Sequence, residues 1–147
     1  LKKGGLMRIG LYSQIARRNI TKTREEIAEL DIKSNHHDMT IFRNKIILSN
    51  KYHNKQHVSS LDFYSMSTFR DLLFHSQEHQ FTITKIKNDL TKLGLIFCGF
   101  ENKVALNKFQ LVNPIKNNLY NLEKWNSFEH DNPNTFLGMY QFWCQKI

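Results

Sequence analysis

Three stretches of the chain carry the short, mostly apolar pattern of a buried strand: Leu6–Tyr12, Leu95–Phe100 and Met139–Gln145. Gly4-Gly5 opens the first, Ser13 follows it, and Gly94 precedes the second, so turn residues bound the runs. The segments between them are far too long for hairpin turns. The predicted order is strand, long helical insert, helix, strand, helical insert, strand. That is an α/β chain with a three-stranded sheet. Such a sheet would present a long unpaired edge, which folded proteins cover or blunt. Leu1-Lys2-Lys3-Gly4-Gly5 also runs straight into apolar sequence, as the middle of a protein does. Further strands are therefore expected before Leu1, with residues 1–147 forming one part of a larger domain.

Helical spacing fills the intervals. Ser13 suits the N-cap of a helix running to about Leu30, with Ile20, Ile27 and Leu30 on one side. Arg17, Arg18, Arg24, Glu25 and Glu26 are expected in solvent. Asp38, in the polar turn Asn35-His36-His37-Asp38, is placed to cap a second helix holding Ile41, Phe42, Ile46 and Ile47. The polar stretch 49–60, with Asn50, His53, Asn54 and His57, reads as an exposed loop or the base of a lid. A compact apolar helix is predicted near residues 67–75. The clearest helix covers 82–93, where Ile83, Ile86, Leu90 and Leu93 recur at spacings of three and four. Thr82 can cap its start, and Gly94 stands where a left-handed residue is wanted after its end. Residues 103–130 read as two helical pieces broken near Asn113-Pro114, the second anchored by Trp125 and Phe128. The last strand alternates apolar and polar residues in its second half, so one of its faces is expected to be less buried.

The chain of 147 residues can bury a core of its own. Its formal net charge of +8 raises the question of a polyanion or an anionic membrane. The lysines and arginines are scattered, with no run of five, and read as solvated surface. Neither nucleic acid nor a membrane is expected as a partner. No apolar stretch approaches the ~20 residues that span a bilayer, and no secretory leader is read at the start. Cys98 and Cys144 sit among apolar residues and are expected to be reduced thiols, in keeping with a cytoplasmic location.

Three blocks carry a family resemblance. Leu1-Lys2-Lys3-Gly4-Gly5-Leu6-Met7-Arg8-Ile9 resembles the approach to the fifth strand of class I S-adenosylmethionine (SAM)-dependent methyltransferases, with Lys3 where the family usually has proline. Asp71-Leu72-Leu73-Phe74-His75, Glu78-His79 and Phe81-Thr82-Ile83 resemble a stretch of bacterial members that precedes the helix before the sixth strand. Lys92-Leu93-Gly94-Leu95-Ile96-Phe97-Cys98-Gly99-Phe100 resembles its continuation. Asn132-Pro133-Asn134-Thr135-Phe136 and Met139 to Lys146 resemble the final antiparallel strand. The resemblance implies a Rossmann-like, seven-stranded, doubly wound sheet with the seventh strand antiparallel between the fifth and sixth. This chain would supply those three strands. It further implies that residues 13–65 are a helical insert or lid that selects the methyl acceptor, and that 101–135 form a second helical insert. Cys98 and Cys144 would lie on neighbouring strands. The Gly-rich loop and acidic residue that would hold SAM have no match in this sequence, since no Gly-x-Gly-x-Gly follows any of its strands. The fragment alone is thus expected to bind SAM poorly and to be inactive.

Methyl transfer needs a positioned acceptor and, for oxygen or nitrogen acceptors, often a base. Asp71, His75 and His79 are four apart and would share one helix face if the helix persisted through them. Asp71 could then orient His75 as the base. The plainer reading is that these residues cap and tie the loop between two helices. A metal site is not expected, because no third strong ligand stands by the two histidines. Tyr12 and Ser13, just past the carboxyl end of the first strand, are candidates to contact acceptor or cofactor, and Phe63 and Tyr64 to line an acceptor pocket. Ser13 as a simple cap and the aromatics as core are the plainer alternatives. The acceptor, a small molecule or a protein, is not legible. Two other classes compete with the enzyme. One is a basic nucleic-acid-binding module, whose affinity would fall steeply with salt. The other is an interaction domain that kept the fold and lost the activity.

Overall fold

The computed structural model describes residues 1–75 and 77–147, apart from the side chains of Tyr52 and His53. Two compact units are resolved by their internal packing: Leu1–Arg17 together with His79–Ile147, and Arg18–Glu78. The helical insert expected over 13–65 lies mostly in the second, which extends to Glu78.

The first unit is built on a mixed sheet of β1 (Leu6–Ser13), β2 (Gln80–Phe81), β3 (Leu95–Phe100) and β4 (Tyr140–Lys146), in the order β2-β1-β4-β3. β4 runs antiparallel to both of its neighbours, so β1 and β3 run parallel to each other. The sheet has four strands rather than the three expected. The addition is β2, which pairs in parallel with the last two residues of β1 through Tyr12↔Gln80 and Ser13↔Phe81. Two residues are too few to leave a period-2 signal in sequence.

Register explains which face is buried. Ile9 and Leu11 oppose Phe142 and Tyr140 on the inner side, where Phe97 and Phe100 of β3 join them, while Met7, opposite Cys144, is exposed. α5 (Ile83–Lys92), α6 (Lys103–Val112) and α7 (Leu122–Asp131) cover that side. α5 buries Ile83, Ile86 and Leu90, while Leu93 of the expected stripe is exposed as the C-cap residue. The Thr82 side chain accepts from the Lys85 N–H, and Gly94 takes the left-handed conformation at φ 62°, as its spacing predicted. The break expected near Asn113-Pro114 is a short 3₁₀ turn over Lys116–Tyr120 between α6 and α7. The core is mainly aromatic. Phe109 stacks on Trp125 at 3.9 Å between ring centroids and 12° between planes. Phe100 packs among Phe97, Trp125, Phe136 and Phe142. Such contacts contribute about 0.5–1.5 kcal/mol per pair beyond their buried area.

The second unit packs α1 (Arg18–Glu29), α2 (His36–Leu48), α3 (Tyr52–Val58) and α4 (Met66–Leu73) around Ile27, Met39, Phe42, Ile46, Phe63, Phe69 and Leu73. Several expectations are corrected here. α1 begins at Arg18, because Ser13 closes β1 and its hydroxyl caps only the turn to Ala16. Leu30, past the end of α1, is exposed, and Arg17 is buried rather than solvated. α2 is capped by Asn35, whose side chain accepts from the Asp38 N–H, so Asp38 sits in the first turn instead of capping it. Ile41 and Ile47 face solvent. The stretch 49–60 is not a loop but contains α3, with Asn54 and His57 buried. Asn54 donates to Ser49 Oγ while its own Oδ1 is buried without a hydrogen-bond partner among the described residues, and His57 Nε2 lies 2.8 Å from Thr23 Oγ1. His53, in the same prediction, has a side chain outside the described residues.

Candidate functional site

The carboxyl end of β1 holds the densest buried polar cluster of the first unit. The Ser13 hydroxyl donates to Glu129 Oε1 at 2.6 Å and accepts the Ala16 N–H at 3.0 Å. The Tyr140 hydroxyl donates to the other carboxyl oxygen, Oε2, also at 2.6 Å. Ser13, Glu129 and Tyr140 are all shut off from solvent. One carboxyl group thereby ties the end of β1 to the start of β4 and to α7. Beside it, the Arg17 guanidinium lies 3.9 Å over the Tyr12 ring, a cation–π contact that turns the strand end back on itself.

Burial sets the electrostatics of this cluster. It pushes the Glu129 carboxyl above the usual range, although the Ser13 and Tyr140 hydrogen bonds and nearby His130 pull the other way. It also pushes the Tyr140 phenol up, reinforced by the Glu129 charge. Both oxygens of Glu129 are occupied by hydroxyls away from water. Its chemistry is therefore that of a positioning group, which fixes Ser13 and the turn behind it, and not of a base open to a ligand.

The sequence-predicted site residues fare unequally. Tyr12 and Ser13 are brought together at the strand end, but the Ser13 side chain points inward to Glu129. Phe63 is core, edge-on to Phe69 and Tyr64. Tyr64 is exposed, and its hydroxyl donates to the Val58 carbonyl. Asp71, His75 and His79 do not form a helix face, because α4 ends at Leu73. His75 Nδ1 instead accepts the Gln77 N–H at 3.3 Å, a local loop tie. Ser76, between them, lies outside the described residues. Among the described residues no group of three His, Cys, Asp or Glu side chains is placed to hold a metal ion.

Glu129 was missed in the sequence, although a signal exists. Leu122, Trp125 and Glu129 recur at helical spacing, so a carboxylate occupies a position of the apolar stripe of α7. A charge there is buried, and a buried charge needs partners. The outer face of the sheet carries a second tie that spacing alone could not reveal. Glu101, just past β3, accepts from Arg8 of β1 and from the Trp143 indole of β4. The Arg8 hydrogen bonds hold the Glu101 carboxyl below its usual range. Clefts also open among the described residues of this unit. One of about 330 Å³ is lined by Lys87, Leu90, Phe97, Tyr120 and Leu122, and one of about 340 Å³ by Asn102, Val104, Lys108 and Asp131–Thr135. No protein-family model matches the chain, and no curated protein matches it.

Proposed function

We propose that this chain is the C-terminal part of a class I SAM-dependent methyltransferase, supplying the last three main strands of the sheet and the elements on the acceptor side. The observation that carries the reading is the course of β4, antiparallel between β1 and β3, which are themselves parallel. That is the arrangement the resemblance implies for the seventh strand between the fifth and sixth. A second observation supports it. On its side away from β4, β1 is paired among the described residues only at Tyr12 and Ser13, which leaves Leu6–Leu11 open to a further strand. The helical unit Arg18–Glu78 follows β1 in the chain, where the acceptor-selecting lid is expected.

The residues of this chain do not by themselves fit SAM. The hydroxyl at the carboxyl end of β1 is buried and committed to Glu129, and no Gly-rich loop follows any strand. On this reading the cofactor is held by residues preceding Leu1. The coding DNA upstream of Leu1 tests this. An open frame encoding a strand, a Gly-x-Gly loop and an acidic residue about 20 positions on is expected. A stop codon directly upstream would contradict it.

A further inference from the structure

Residues 102–122 contain Lys103, Lys108 and Lys116 and no Asp or Glu. The carboxylates at either end of this stretch are already paired, Glu101 with Arg8 and Glu123 with Lys87. α6 buries Ala105 and Phe109 against the core, which turns Val104, Lys108 and Leu111 outward at spacings of four and three. Val104, Leu111, Val112 and Ile115 are all well exposed, Leu111 to 84%. Val104 and Leu111 thus share the outward face of α6 with Lys108, and Val112 at the helix end and Ile115 past it are exposed too, a surface suited to an interaction.

We propose that α6 and the turn that follows it form a docking surface for an anionic lipid bilayer. The aliphatic side chains would enter the boundary between headgroups and acyl chains, while the three lysines meet the headgroup phosphates, the pattern of an interfacial amphipathic helix. α6 has 10 residues, about 15 Å of helix, and lies on a bilayer without spanning it. No helix among the described residues is long and apolar enough to cross a membrane. The charge of the whole chain is scattered, but Lys108 lies on the outward face of α6 beside Val104 and Leu111. Asp131 borders the patch, in the same cleft as Val104 and Lys108, and the lysines outnumber it. A nucleic acid would use the lysines and have no need of the aliphatic residues. A second copy of the chain would bring lysines against lysines.

The test is co-sedimentation of the chain with vesicles of mixed phosphatidylglycerol and phosphatidylcholine, against vesicles of phosphatidylcholine alone. Binding to the anionic vesicles is expected. One lysine near such a surface is worth about a fivefold gain, so the combined Lys103→Gln, Lys108→Gln and Lys116→Gln variant should partition roughly a hundredfold less. The Leu111→Ser, Ile115→Ser variant should also lose binding. All five sites are exposed, and an unchanged circular dichroism spectrum would show that the fold is kept. Three results would overturn the proposal: no partition onto anionic vesicles at low salt, equal partition onto neutral ones, or loss with the lysine variant but not with the serine variant. The last would make the face a polyanion site.

Discussion

Replacing Glu129 with alanine strips a buried carboxyl from two buried hydroxyls. Tyr140 and Ser13 each lose a 2.6 Å hydrogen bond. An unsatisfied buried hydroxyl costs about 1–3 kcal/mol. Ser13 keeps the Ala16 N–H as a donor to it, which discounts the loss. The cavity left by the side chain adds to it. The sum is about 2–4 kcal/mol, measurable by urea unfolding followed through the buried Trp125. Glu129→Gln separates charge from shape. Burial raises the Glu129 carboxyl in the folded state, so its contribution is full below the unfolded pKa and is lost as pH rises through the folded one. Glutamine does not titrate. The variant should therefore gain on the native protein as pH rises from about 4.5 towards neutrality, other groups cancelling in the difference. A native protein that gains on Glu129→Gln over that range would refute the reasoning, because the carboxyl would then be held ionised by its partners.

Further consequences concern packing and the thiols. Phe109→Ala removes a fully buried ring stacked on Trp125 and should cost about 3–5 kcal/mol, with a red-shifted tryptophan emission in the folded protein. Gly94→Ala forces a side chain into φ 62°, with its Cβ 2.9 Å from Lys146 Nζ. The lysine can move and the backbone cannot, so a loss of about 1 kcal/mol is expected, a fall of about 2–4 °C in Tm. In the native protein a thiol reagent should label Cys98 first. Cys144 is buried and its thiol is pushed up by burial and by Cys98, whereas Cys98 is partly open. Equal labelling rates would show that β4 opens readily.

The sheet unit was largely legible because its signals are local and strong. β3 falls on the residues predicted, Leu95–Phe100, and Thr82 and Gly94 bracket α5 through short-range capping geometry. The helical unit was less legible, because there polarity does not report exposure. His57 and Thr23 are buried against each other across 34 residues, and Asn54 is buried on a bond to Ser49. The helix face expected of Asp71, His75 and His79 is absent for a related reason. Asp71, His75 and His79 keep helical spacing in sequence, but the helix stops at Leu73. Meanwhile Glu129 lies 116 residues from Ser13, a separation that periodicity cannot bridge. Tyr12 and Ser13 were found at the right strand end, with the Ser13 hydroxyl facing the core.

The most direct test of the methyltransferase reading is SAM binding by calorimetry, comparing the 147-residue chain with the product of any open frame found to extend upstream of Leu1. The extended protein is predicted to bind SAM saturably and the chain alone far more weakly. Equal affinity for both, or no binding by the extended protein, would contradict the assignment.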